Sequence, residues 1–399
     1  MFTPIRFLQV SLLSLVLGGC ASQQTAAGPD AAKPPAARPG PALASNSSPQ
    51  AAAPLALPPA PAPIAAGHSS SSGGPLLEPD GSLTPDLKAF AGEVSSVRGV
   101  PLAHVESLLR TVSYDSTAAR LMKPSGQRIR RSWTVYRQRF VEPIRIRAGQ
   151  EFWTANRAFL DRTARQYGVP ASIIVAIIGV ETVYGRNTGN FRVLDALATL
   201  GFRYPDDTRP ERSQLFRDQL ADLIELDYRK VLDAHAATGS FAGAMGLPQF
   251  MPGSLARYAA DGNGDGHIDL LNEYDAIASV ARFLRLHGWV PGLPVFAPAT
   301  LPSDPASLVK GGLTPTLSWA ELAAQGAAAI TPTGMPTPAW MRYKLGMVNL
   351  VDESRNRAEY RIGTPNFFAI THYNRSYFYA TAVADLAAVL ADAMGEEKP

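Results

Sequence analysis

Residues 171–184 read Ala-Ser-Ile-Ile-Val-Ala-Ile-Ile-Gly-Val-Glu-Thr-Val-Tyr, a run apolar on every side with a single ionisable acid, Glu181. A surface helix carries one apolar stripe. A run without a polar face therefore predicts a helix buried all round, with the rest of the fold built about it. Pro170 suits the start of such a helix and Gly185 the position just past its end. A carboxyl group on this helix loses water. Desolvation disfavours the charged form and raises the pKa, which suits an acid that must hold a proton near neutral pH and then donate it. The alternative is a glutamate at a frayed helix end that reaches solvent or pairs with Arg186, and the segment alone leaves both open.

The first residues read as an export signal: Arg6 supplies a positive charge, Phe7 to Leu17 an apolar core, and Leu17-Gly-Gly-Cys20 the close. The stretch is too short to span a bilayer. Cys20 is the only cysteine, which excludes a disulfide framework and a cysteine-based metal site. Its setting resembles a bacterial lipobox, in which the cysteine is acylated and becomes the new N-terminus. Ala21 and Ser22 follow with no Asp, a pattern similar to that of lipoproteins sent to the outer membrane. From Ala21 to about Leu83 the chain is Ala, Pro, Ser and Gly with few large apolar residues, so a disordered tether is expected. Roughly 65 residues of such a chain reach about 45 Å on average. A net charge of +3 gives no case for nucleic acid. The cluster Arg128, Arg130 and Arg131 reads as a solvated face.

Helical spacing marks Asp86 to Val97, Leu102 to Val112, Glu151 to Tyr167, Val193 to Leu200, Ser213 to Leu226, Tyr274 to His287 and Tyr377 to Met394. Between Val290 and Thr371 Pro and Gly are frequent. Ser318-Trp-Ala-Glu321 is a capping box opening a short helix, and Tyr343 to Val351 and Ala358 to Ile362 flank the polar turn Asp352 to Asn356 as a β-hairpin. The expected division is a signal and lipobox (1–20), a tether (21–85), an N-terminal helical lobe (86–160), a core with the Glu181 helix (161–289), a small β-containing lobe (290–371) and a C-terminal helix completing the core (372–399). The fold class is mainly α with a small β lobe, and a cleft between lobes.

Two further segments carry chemistry. Gly239-Ser-Phe-Ala-Gly-Ala-Met-Gly-Leu-Pro-Gln-Phe-Met-Pro252 is rich in residues that let backbone lie close to a bulky ligand, with Ser240 and Gln249 as donors and acceptors and Phe250 as an apolar face for a sugar. Tight helix packing is the other reading of those glycines. Asp261-Gly-Asn263-Gly-Asp265-Gly-His267 places oxygen ligands at positions one, three and five and Gly at six, as at the start of an EF-hand-like loop. Position twelve is Asn272, which cannot bind a metal ion bidentately, while Glu273 and Asp275 follow closely and could close the loop. No Gly-x-Ser-x-Gly elbow and no HExxH spacing occurs, which argues against serine and zinc hydrolysis. Asp195 and Asp218 lie on polar-faced helices and read as salt-bridged.

Together these segments resemble the lytic transglycosylase B family, bacterial enzymes that cleave the glycan strands of peptidoglycan. The matching stretches are Tyr167-Gly-Val-Pro, Ile177-Ile-Gly-Val-Glu-Thr, Leu194-Asp-Ala-Leu-Ala-Thr-Leu, Ser240-Phe-Ala-Gly-Ala-Met-Gly, Gln249-Phe-Met-Pro, the Asp261 loop and Tyr373-Asn-Arg-Ser, spread over most of residues 130 to 385. The resemblance implies a lysozyme-like core, with Glu181 as the catalytic acid. It implies that Ser240, Gln249, Tyr136, Asn374 and Tyr379 line the sugar cleft. It implies a structural calcium ion on Asp261, Asn263, Asp265, the carbonyl of His267 and Asp275. Phe283 departs from the family's frequent Tyr, and Asp206 to Pro210 reads as a short insertion. The implied partners are peptidoglycan glycan strands and, through the lipid on Cys20, the periplasmic face of the outer membrane.

The implied reaction needs one acid where ordinary glycosidases need two. The Glu protonates the bridging oxygen between muramic acid and glucosamine, then takes the proton from the muramic C6 hydroxyl, which attacks C1 and leaves a 1,6-anhydro sugar. Ser240 and Gln249 would hold the sugar's acyl group. Two rivals stay open: a hydrolytic muramidase with a second acid, and a non-catalytic calcium-stabilised peptidoglycan-binding lipoprotein.

Overall fold

The computed structural model describes residues 56–64, 74–124, 130–331, 334 and 336–399. Cys20, most of the expected tether and Arg128 lie outside them. In chain order the α-helices are α1 (Pro85–Arg98), α2 (Leu102–Leu109), α3 (Ser116–Met122), α4 (Trp133–Phe140), α5 (Pro143–Ala155), α6 (Arg157–Tyr167), α7 (Ala171–Thr182), α8 (Val193–Phe202), α9 (Pro210–Tyr228), α10 (Pro252–Tyr258), α11 (Glu273–Leu286), α12 (Trp319–Ala324), α13 (Pro365–Thr371) and α14 (Tyr377–Met394). Two small antiparallel pairs complete the set: β1 (Phe191–Arg192) with β2 (Thr238–Gly239), and β3 (Gly346–Asp352) with β4 (Arg357–Gly363). The architecture is thus mostly helical with small antiparallel sheets.

α7 is the axis of the main core. Eleven of its twelve residues are buried, and Glu181 is the one that is not fully so. α14 lies along it, and α5, α6 and α11 also pack against it. α14 is long and apolar enough to cross a membrane by composition, yet most of its apolar residues from Tyr379 to Ala391 are buried against this core. A second, smaller core joins Leu293, Leu317, Leu322, Trp340, Leu345 and Ile362 beneath the β3–β4 hairpin. The hairpin pairs Met347 with Ile362 and Asn349 with Tyr360, and Asn356 turns it in the left-handed conformation at φ 47°, which Asn tolerates. The capping box at Ser318 and Glu321 opens α12.

Three expectations change. The single helix over Glu151 to Tyr167 is two helices. Asn156 breaks it at φ −107°, and its amide donates to the Phe152 carbonyl and to Glu273 across the fold. The tether ends earlier than residue 85, because apolar residues that read as isolated find partners. Ile64, Leu76 and Leu83 are buried in the main core, and Ile64 donates its backbone N–H to Asp218 and accepts from Gln214. The partners of Asp218 are therefore an amide and a backbone N–H rather than the cation expected, whereas Asp195 does pair with Arg192 at 3.0 Å.

The third change is at the end of α7. The helix stops at Thr182, and Val183, Tyr184 and Gly185 take left-handed φ of 51°, 58° and 86° in succession. A β-branched residue in that region costs about 1–3 kcal/mol and persists only where its surroundings over-determine it. They do so here. Thr182 donates its hydroxyl to the Leu247 carbonyl and accepts from the Gly185 N–H. The Tyr184 ring enters a slot between helices, where a Cβ on Gly149 or Gly179 would come within 2.4 or 2.3 Å of its hydroxyl oxygen.

Candidate active site

The chain that leaves α7 in this strained turn brings Glu181 to the floor of a cleft of about 220 Å³, walled by Gln249, Phe250, Phe283, Tyr373 and Asn374 among others. Glu181 keeps part of its surface open to this cleft. Its Oε1 accepts a hydrogen bond of 2.6 Å from the Tyr379 hydroxyl on α14. Burial pushes its carboxyl up to about 7, and the Tyr379 hydrogen bond pulls the other way. Arg186 pairs instead with Glu151 at 3.7 Å, so the frayed-end alternative does not describe this residue.

Three phenols surround the carboxyl. Burial first, and then the Glu181 charge, push Tyr136, Tyr373 and Tyr379 above the ordinary tyrosine range, so all three stay protonated near neutral pH. Tyr379 is 2 % exposed and spends its hydroxyl on Glu181; the expectation that it lines the sugar cleft gives way to contact with the acid itself. Tyr136 packs through its ring on Phe140 and Phe378. Tyr373, quoted in a motif but given no role, stacks on Tyr379 with centroids 6.3 Å apart and donates to the Pro248 carbonyl at 2.6 Å.

The Gly-rich loop divides between the two readings. Gly243 and Gly246 answer to packing: a Cβ there would strike Leu197 or Leu270 at 2.6 and 2.3 Å. Ser240 is buried and its hydroxyl accepts from the Ala244 N–H at 3.1 Å, so it shapes the loop and is not in the cleft wall. Phe250 is 2 % exposed and packs on Phe283 and Tyr373, so it backs the cleft wall and offers a sugar little open surface. Gln249 does face the cleft. Held at φ 52°, it donates its amide to the Thr188 and Gly246 carbonyls, so its own oxygen is what it can offer a ligand. The Asn374 Oδ1 is buried in the cleft wall without a partner, an acceptor open to a ligand N–H or O–H.

The Asp261 loop joins α10 to α11. Asp261 accepts from Gly264 and Gly266, Asp265 from His267 and from the Asn263 amide, and Asp275 from Gly262, Asn263 and Asp269. Asn272 caps α11 by accepting from Tyr274 and Asp275, which explains its place at position twelve. Glu273 is tied to Asn156. The donors are hard oxygens that suit calcium in chemistry. Among the described residues, however, no three acids gather into a metal-sized cluster.

The family model described as the transglycosylase SLT domain matches residues 82–388. The membrane-bound lytic murein transglycosylase B of Escherichia coli K12 is 36% identical over 340 residues, which is 80% of this chain and 89% of that protein. The soluble lytic transglycosylase SltB1 of Pseudomonas aeruginosa superposes with a TM-score of 0.68 at 40% identity, covering 78% of this chain and 100% of the other. The Escherichia coli lytic transglycosylase Slt35, solved in complex with calcium, superposes with a TM-score of 0.67 at 34% identity, covering 84% of this chain and 100% of the other.

Proposed function

The chain belongs to the transglycosylase SLT domain family and is a lytic transglycosylase acting on peptidoglycan, and from that premise we propose that Glu181 carries both proton transfers of the reaction. The supporting observation is that Glu181 is the one acid among the described residues of the cleft wall. A hydrolytic muramidase needs a second carboxylate to act as nucleophile or to activate water. An acid with a pKa of about 7 holds its proton long enough to donate it to the bridging oxygen between muramic acid and glucosamine. As a carboxylate it then takes the proton from the muramic C6 hydroxyl while O6 closes on C1, so the acid is restored and no water is consumed. Tyr379 orients the carboxyl and steadies it in its charged interval. The Gln249 oxygen and Asn374 Oδ1 receive donors of the sugar and its acyl group. Mass spectrometry of murein digested by the folded part tests this: 1,6-anhydro ends are expected, and reducing muramic ends would overturn it.

The Asp261 loop we assign to calcium, on Asp261, Asn263, Asp265, the His267 carbonyl and Asp275. The supports are the donor chemistry and the calcium complex of a structural neighbour. Such an ion would fasten α10 to α11 and take no part in the chemistry at Glu181. Cys20 would be acylated and hold the protein on the periplasmic face of the outer membrane, a reading supported by the Leu17 to Cys20 pattern and the membrane-bound relative. Cys20→Ala should lose labelling by radioactive palmitate; equal label would refute the anchor.

A further inference from the structure

We propose that a second cavity, between α4 and the β3–β4 hairpin, binds the carboxylates of the stem peptides carried by peptidoglycan strands; this rests on the reading of the chain as a peptidoglycan enzyme. The cavity measures about 530 Å³, and its charged lining is Arg137, Arg357 and Arg361 against Asp352 and Glu359. Beneath it lies Asp385, 9 % exposed, whose two oxygens hold Arg137 Nε and Arg361 Nη1 at 2.5 Å each. Arg361 is spent on Glu359 and Asp385, but Asp385 takes only Nε of Arg137, so the outer Arg137 nitrogens are held in the wall beside Arg357. That is a pre-set anion site of the kind arginine forms with planar carboxylates.

The acids in the wall are already engaged. Asp352 accepts from Thr134 and Ser354, and Glu359 from Arg361 and the Trp133 indole. Arg357 is exposed, and its side chain makes one long contact of 3.5 Å to Thr134. Trp133 is 4 % exposed, so the cavity offers no open ring on which a sugar could stack. Guanidinium groups without an aromatic platform favour a carboxylate ligand over a glycan.

The placement suits a stem. Asp385 follows Tyr379 by six residues on α14, about 9 Å along the helix axis. Trp133, which lines the cavity, stacks on Tyr136, one of the Glu181 phenols, and both meet Phe378 edge-on. A peptide of three or four residues extends about 10–14 Å, more than the axial separation of Tyr379 and Asp385 on α14.

Calorimetry on Glu181→Gln protein, which cannot turn over its ligand, tests the site with a disaccharide tetrapeptide and the same disaccharide without peptide. The parent should bind the peptide-bearing ligand more tightly. Adding Arg357→Glu should weaken that ligand by about tenfold, Arg357→Lys by less, and neither should alter the peptide-free ligand. Equal affinity of the parent for both ligands, or an equal effect of Arg357→Glu on both, would overturn the proposal. Failure of the Glu181 reading shows separately, as wild-type protein that yields no anhydro ends from peptide-free strands.

Discussion

Glu181 and the acids of the Asp261 loop are the same functional group under opposite conditions. Asp275 is more deeply buried than Glu181, yet it is supplied with three backbone N–H groups, and Asp265, held by His267 and Asn263, stays below the ordinary carboxyl range. Glu181 has one hydroxyl partner and surroundings that strip its water, and its pKa rises to about 7. The loop acids spend their oxygens on N–H groups that fasten the loop, whereas Glu181, with one donor and little water, is left able to hold a proton.

The sharpest way to break this contrast is Glu181→Gln, which keeps shape and removes the acid. Turnover of murein should fall by about 10³-fold or more, since one group serves both transfers; retention of a tenth of wild-type activity by product chromatography would end the assignment. Next comes Tyr379→Phe, which takes away the single donor. The Glu181 pKa should then climb further, with activity down by about 10–100-fold and the alkaline limb of the kcat profile moved to higher pH. An unmoved limb would show that Tyr379 does not set the acid.

A third effect is on stability. The Glu181 pKa is raised in the folded chain, so its protonated form stabilises the fold at pH below its ordinary value of 4.5, and that contribution is lost as pH rises through about 7. Glu181→Gln should therefore gain on wild type between those limits. The gain should approach about 2 kcal/mol by denaturant titration, tempered by the water of the cleft. A constant difference across this window would contradict the desolvation. The smallest effect belongs to the other region. Millimolar calcium should raise Tm by about a few degrees, and Asp265→Ala should abolish the rise. Coincident melting with chelator and with calcium would make the loop a plain turn.

The sequence spoke clearly where one segment contained its own explanation. A lone acid in an all-apolar run pointed to α7 and Glu181, and spacing alone marked Tyr377 to Met394, the bounds that α14 has. It was silent where a distant residue decides. Asn156 breaks a helix because Glu273 is there to receive its amide. Tyr379 turns from sugar wall to partner of the acid because α14 lies on α7. The loop glycines could be read either for a ligand or for packing, and only Leu197 and Leu270 decide it. Ile64 sits in a Pro-rich stretch whose composition hides its partner Asp218.

The slot that receives Tyr184 also sets an order on how this sequence can drift. With the ring in place, Gly149 and Gly179 cannot gain even a methyl group without moving it. A smaller side chain at position 184 would have to come first, and it would leave Val183 in its left-handed turn with less to hold it there. Changes at these positions are therefore not independent: their combined effect is the same in any order, but the intermediates are not, and the paths open to descendants of this chain are fewer than three separate sites would allow.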